Sequence, residues 1–208
     1  MRVNVKGMSS FQNSKLSPYR AQLAFIVLVV LIGLCRHIPI SHPELYNFSP
    51  VLALFLLSGS FLRGYWAWLT PIAAVLVTDL LLNPIYGANF FEPFMLINYF
   101  CYLLVFSLGK FLHGRKNLGL LVAGSVGGSL LFHCITCFFA WLSYPPEYAH
   151  IGWLEALTYG LPGLPPSYVF LKNSMISSVL FTFAIGWIAF RLKVAAPVLD
   201  EKSPVGAS

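Results

Sequence analysis

Tyr65-Trp-Ala-Trp-Leu-Thr-Pro-Ile-Ala-Ala-Val-Leu-Val-Thr-Asp79-Leu-Leu-Leu82 holds a single charged side chain, Asp79, between its two ends. An apolar stretch of this length covers about 30 Å of hydrocarbon when it is helical. Comparable stretches occupy Ala21–Ile38, Phe48–Leu62, Pro93–Leu112, Asn117–Leu142 and Val169–Phe190. Counting the intervals alternately places 11 of the 13 Lys and Arg residues on one side. That side receives Arg2, Lys6, Lys15, Arg20, Arg63, Lys110, Arg115, Lys116, Arg191, Lys193 and Lys202, and the other receives only Arg36 and Lys172. Positive charge near helix ends stays cytoplasmic. Six crossings with both termini in the cytoplasm satisfy the pattern, and one span more or fewer scrambles it.

Composition points the same way. The chain is 58% hydrophobic and 10% charged over 208 residues, far less charged than the surface of a soluble domain requires. Six helices consume most of the length and leave no room for a second domain. The expected organisation is a cytoplasmic N-terminal segment (1–20), a six-helix transmembrane domain (21–190) and a disordered cytoplasmic tail (191–208). The fold class is all-α, a polytopic membrane helix bundle in a bacterial cytoplasmic (inner) membrane. The net charge of +6 is topological in origin, because no basic stripe interleaved with aromatics marks a nucleic-acid surface. No small-x-small cleavage site follows Ala21–Leu34, and Leu34 stands where a lipoprotein box needs a small residue. The segment therefore reads as an uncleaved first helix.

Small residues mark the expected helix contacts. The second span is short and carries Ser58, Gly59 and Ser60, which suits packing inside the bundle. The fifth carries Gly124, Ser125, Gly127, Gly128 and Ser129, a patch that lets a neighbouring backbone approach. Between the fifth and sixth spans, Ile151, Leu154, Leu157 and Leu161 recur at helical spacing, with Trp153 and Tyr159 as aromatic anchors. That pattern predicts a short helix over 151–161 lying in the interface rather than a seventh span.

Polar residues gather in the outer half of the bundle. Arg36 and His37 end the first span, Asn47 precedes the second, and Asp79 and Asn83 end the third. Glu92 and Asn98 open the fourth, His133 lies past the midpoint of the fifth, and Lys172 and Asn173 open the sixth. Ionisable groups at membrane depth are costly and face a bundle interior or a wet cavity. Helix ends accommodate Arg36, Glu92 and Lys172 by snorkelling, but Asp79 and His133 are embedded in apolar sequence. Two readings stay open. The cluster Arg36, Asn47, Asp79, Asn98, His133 and Asn173 lines a small-molecule site, or Arg36 and Asp79 pair simply to fix the first helix against the third.

His133, Cys134 and Cys137 share one helical face by their spacing. An isolated Cys-x-x-Cys in an apolar helix is most simply two small apolar side chains, so no metal or cofactor is expected. The chain has no nucleotide-binding loop, His-Glu-x-x-His or Gly-x-Ser-x-Gly, and no enzymatic activity is expected.

The run Asn47-Phe-Ser-Pro50-Val-Leu-Ala53-Leu, then Gly59-x-Phe61, then Pro71 to Asp79, resembles a family of uncharacterised bacterial six-helix membrane proteins with an Asn-Phe-x-Pro-x-x-Ala-Leu motif. Tyr144-Pro145 and Lys172-Asn173 match its later part, while Thr136-Cys137 departs from its frequent Thr-Asn. The size and helix count are also similar to the substrate-binding S components of energy-coupling factor transporters. That resemblance implies a binding and uptake component for a vitamin-like molecule or precursor, energised by separate transporter subunits. The alternative expectation is a structural or assembly subunit of a membrane complex without its own ligand.

Overall fold

The computed structural model describes residues 23, 26–27, 31, 34–87, 89, 91–115, 117–145, 151–163 and 165–191. Most of the first expected span and nearly all of both terminal segments lie outside these residues. Among the described residues the chain forms seven α-helices and no strand. A 3-10 turn, Leu34–His37, runs into the single turn α1 (Ile38–Ser41), and a second 3-10 turn covers Pro43–Leu45. The longer elements are α2 (Val51–Phe61), α3 (Trp66–Ile85), α4 (Phe94–Phe111), α5 (Leu118–Leu142) and α7 (Ser167–Arg191), with the short α6 at Trp153–Thr158.

Four helices, α3, α4, α5 and α7, are long and apolar enough to cross a membrane. Their surfaces reverse the pattern of a soluble protein. Leu96 is 75% exposed and Phe111 69%, while Ser129, Ser177, Ser178 and Thr182 are completely buried. Apolar side chains facing outward over whole helices fit hydrocarbon as the surrounding medium, and some of the hydroxyls turned inward find carbonyl partners within the bundle. Ser129 Oγ, for example, donates to Ser125 O at 2.9 Å, whereas the Ser58, Ser178 and Thr182 hydroxyls have no hydrogen-bond partner among the described residues.

The second expected span is shorter than its sequence suggested. It begins at Val51 rather than Phe48, because Pro50 stands at its N-cap, and comprises 11 residues. At 1.5 Å per residue this is about 16 Å, roughly half of a bilayer core. Every one of its residues is buried, so α2 is the centre of the molecule, with α4 and α7 as its largest partners. The approach to α4 is made by glycine at both sides. A Cβ on Gly59 would collide with Phe106 O, and one on Gly109 with Leu56 O. Ser60 Oγ adds a hydrogen bond to Gly109 O at 3.0 Å. The expected contact at Ser58–Ser60 thus finds its partner in the last turns of α4.

The glycine patch of α5 divides. Gly124 and Gly128 meet Leu112 and Val105, whereas a Cβ on Gly127 would enter open space. Asn117, expected within the span, is instead its N-cap and accepts from Leu120 N at 3.1 Å. At the far end of α3 the helix runs past Leu82 through Pro84 to Ile85. A proline in the final turn removes one donor, and Tyr86 N closes onto Leu82 O at 3.1 Å to continue the ladder. Asp79 therefore lies deeper than the end of the helix.

The short helix expected over 151–161 is also shorter, at Trp153–Thr158. Ile151, Ala156 and Leu161 are buried together, and Leu154 is 70% exposed. Six helical residues provide too little arc for the whole apolar set to face one way, so Ala156 takes the inner position and Leu154 points outward. Gly160 ends the element at φ 92°, a conformation that favours glycine.

Candidate functional site

Asp79 is the most heavily engaged of the expected site residues. Arg36 Nη1 lies 2.6 Å from Asp79 Oδ1 and donates as well to Thr78 Oγ1 at 2.7 Å and Val75 O at 3.2 Å. Tyr99 donates its hydroxyl to Asp79 Oδ2 at 2.9 Å. Both carboxylate oxygens are thereby satisfied, which a buried ion pair needs to offset desolvation. The network joins three segments: the turn after the first span, α3 and α4. Sequence reading named Arg36 and Asp79 but missed Thr78 and Tyr99. Tyr99 had a detectable signal, an aromatic ring with a polar tip beside Asn98 in the outer half of a span.

Asn173 is 3% exposed. Its Nδ2 donates to Glu44 O and to Tyr46 O, each at 2.9 Å. One amide thereby clamps the turn that leads into Asn47, whose own backbone sits at φ 62°, a conformation Asn tolerates better than most residues. Nearby, exposed Glu44 lies 3.1 Å from His42 Nδ1. A hydrogen bond from its own backbone, followed by His42, holds its carboxyl below the ordinary value.

His133 projects from α5 toward the short helix. Its Nε2 donates to Leu157 O at 3.0 Å, and Cys137 Sγ lies 3.7 Å from Nδ1. Further side chains hold the same strap by its carbonyls. Trp141 Nε1 donates to Ile151 O at 2.8 Å and Ser167 Oγ to Ala156 O at 2.7 Å, while the Tyr144 hydroxyl bonds Pro162 O.

Between these elements lies a cavity of about 310 Å³ whose wall includes Arg36, Asn47, Asn98 and His133. Phe94, Tyr102, Phe132 and Phe170 supply its aromatic surface. Thr136, Cys137 and Ser167 add polar atoms, and the strap side is closed by Ala156, Leu161 and Pro165. Four of the six expected site residues therefore converge from four different segments. Asp79 and Asn173 stand outside the wall, one holding Arg36 and the other holding the Asn47 turn. The aromatic surface was not anticipated, because phenylalanine in a span looks the same in sequence whether it faces lipid or a cavity. Cys134 and Cys137 join no metal-binding group among the described residues.

All-helical among its described residues, with four long apolar helices of which α4, α5 and α7 contribute to the hollow, the chain is a membrane protein by its class. Residues 17–198 match the model of DUF6580, a family of unknown function, and the chain belongs to that family. No curated protein and no solved structure matches it. The resemblance to an uncharacterised family agrees with this membership.

Proposed function

We propose that this protein is the small-molecule binding component of a membrane uptake system, with an outward-facing site for a vitamin-like compound or precursor. The observation that carries this reading is the cavity formed by Arg36, Asn47, Asn98 and His133. Clefts of about 300 Å³ and above with a few convergent polar groups are the usual form of small-molecule sites. The chain contains no motif able to hydrolyse nucleotide, so uptake depends on separate energising subunits, and the protein is not itself an enzyme. The proposed topology has six crossings, 21–190, in a bacterial cytoplasmic membrane with both termini in the cytoplasm. In it, α2 is a buried half-length segment and the cavity opens to the outside.

The Arg36–Asp79–Tyr99 network favours a second reading, in which the polar groups only fasten the bundle within a larger assembly. A melting screen of the purified protein against vitamins, their precursors and metal ions separates the two. Uptake requires that at least one compound stabilises the protein in proportion to the logarithm of its concentration over its dissociation constant. A flat response across the whole panel, with cavity variants that melt early, would favour the structural subunit.

A further inference from the structure

We infer that the cavity takes an uncharged, planar nitrogen heterocycle carrying a hydrogen-bond donor beside an acceptor on its edge, an inference that rests on the uptake reading above. Charge, shape and hydrogen bonding each narrow the choice.

Arg36 is the one Arg, Lys, Asp or Glu among the described residues of the wall, and Asp79 already balances it at 2.6 Å. A carboxylate or phosphate ligand would meet a guanidinium whose charge Asp79, seated on Nη1, already balances. A cation would enter beside Arg36 with no carboxylate in the wall to receive it. The ligand with the least electrostatic penalty is neutral.

The wall is built for a flat molecule. Tyr102 lies between Phe55 and Phe132 in a three-ring stack, with centroids 5.1 and 5.6 Å apart and planes at 20° and 3°. Tyr102 and Phe132 both line the cavity, with Phe94 and Phe170 on the same surface. With both faces of Tyr102 covered by its neighbours, this ring meets a ligand edge-on, and a rigid aromatic wall of this kind favours another π-system over a puckered sugar or an aliphatic chain. At about 310 Å³ the space lies at the small end of ligand sites, which suits one or two fused rings. A side chamber of about 40 Å³ shares Asn47, Tyr102 and Phe132 and adds Ser49 and Ser174, enough for a small substituent.

The hydrogen-bonding groups then select nitrogen and oxygen on the ring edge. The hydroxyls of Thr136 and Ser167 and the His133 Nε2 donor are taken by carbonyls of the protein. Among the described residues, the amides of Asn47 and Asn98 have no such partner. A side-chain amide presents a donor next to an acceptor and pairs two-fold with a ring edge of complementary pattern, as Asn does with adenine. The clamp by Asn173 holds the Asn47 turn in place before any ligand arrives.

The test uses the full chain in lipid nanodiscs, with cytosine and hypoxanthine as probes and benzoate, choline and myo-inositol as contrasts. Two signals are read: the melting temperature, and the alkylation rate of Cys137, a residue of the wall, with Cys35 and Cys134 replaced by serine and alanine. At least one heterocycle should raise the melting temperature and slow alkylation, and the contrasts should do neither. Asn98→Ala should weaken that binding by about 5- to 150-fold without moving the ligand-free melt. Asn98→Asp, which keeps the shape and removes the donor, should also weaken it if the alanine variant folds poorly. Response to benzoate, choline or inositol in place of the heterocycles overturns the ligand class and leaves the uptake reading standing. Heterocycle binding unchanged in both Asn98 variants overturns the assigned recognition. Silence of these probes together with the vitamin and precursor panel overturns both proposals.

Discussion

Arg36 and Asp79 meet at 2.6 Å across 43 positions of sequence, with side chains only 16% and 11% exposed. The same Arg36 is part of the cavity wall. One ion pair therefore fastens the Leu34–His37 turn to α3 and sets the charge of the hollow beside it. Tyr99, reaching Asp79 from α4, makes the arrangement a three-segment lock.

Removing either member of the pair leaves the other charge buried, which costs about 3–5 kcal/mol in comparable sites. Arg36→Ala and Asp79→Ala should each destabilise, and the double variant should cost less than their sum. Tyr99→Phe should cost about 0.6–1.7 kcal/mol, the range for hydrogen bonds within membrane bundles, and almost nothing once Asp79 is alanine. Denaturant unfolding of the cycle in detergent measures both couplings. Strict additivity would remove the pair as a stabilising unit.

The α2–α4 contact makes a sharper steric distinction. Gly109→Ala places a methyl group against Leu56 O, and overpacking of this kind costs about 1–3 kcal/mol. Gly127→Ala meets nothing within 4 Å and should be neutral or slightly stabilising through helix propensity. Equal melting temperatures for the two variants would contradict the close approach of α2 and α4.

Asn173 and Asn98 should separate by role. Asn173→Ala leaves the Glu44 and Tyr46 carbonyls without their shared donor, and stability without ligand should fall by about 1–3 kcal/mol. Asn98, a residue of the cavity wall, should tolerate alanine. A melt of ligand-free protein suffices, and a fall in the Asn98 variant as large as that in Asn173→Ala would mean the cavity amide is structural.

Topology can be tested without purification. The proposed six crossings require reporter fusions after Leu112 and after Phe190 to signal the cytoplasm, and one at Ala149 to signal the outside. A cytoplasmic signal at Ala149 would reverse the assignment of the cavity to the outer face.

Much of this protein could be read along the chain, because the relevant physics is local. Apolar runs the length of a bilayer predict α3, α4, α5 and α7, and all four are present as long apolar helices. Ser58-Gly59-Ser60 identified a close helix contact, since a missing side chain permits backbone approach wherever its partner lies. Asp79 and Arg36 were matched because a carboxylate in apolar sequence needs a counter-charge at its own depth.

Tertiary structure alone decided what those groups surround. Whether Phe132 or Phe170 faces lipid or a ligand depends on how each helix is rotated and tilted against its neighbours, and periodicity is silent when a helix is apolar all round. Asn173 looked like a site residue by depth, yet it spends both donor hydrogens on carbonyls 127 and 129 positions away. The half-length of α2 likewise follows from its surroundings. With every residue buried, it is shielded from lipid, so the crossing need not be helical over its full length and an 11-residue helix is sufficient.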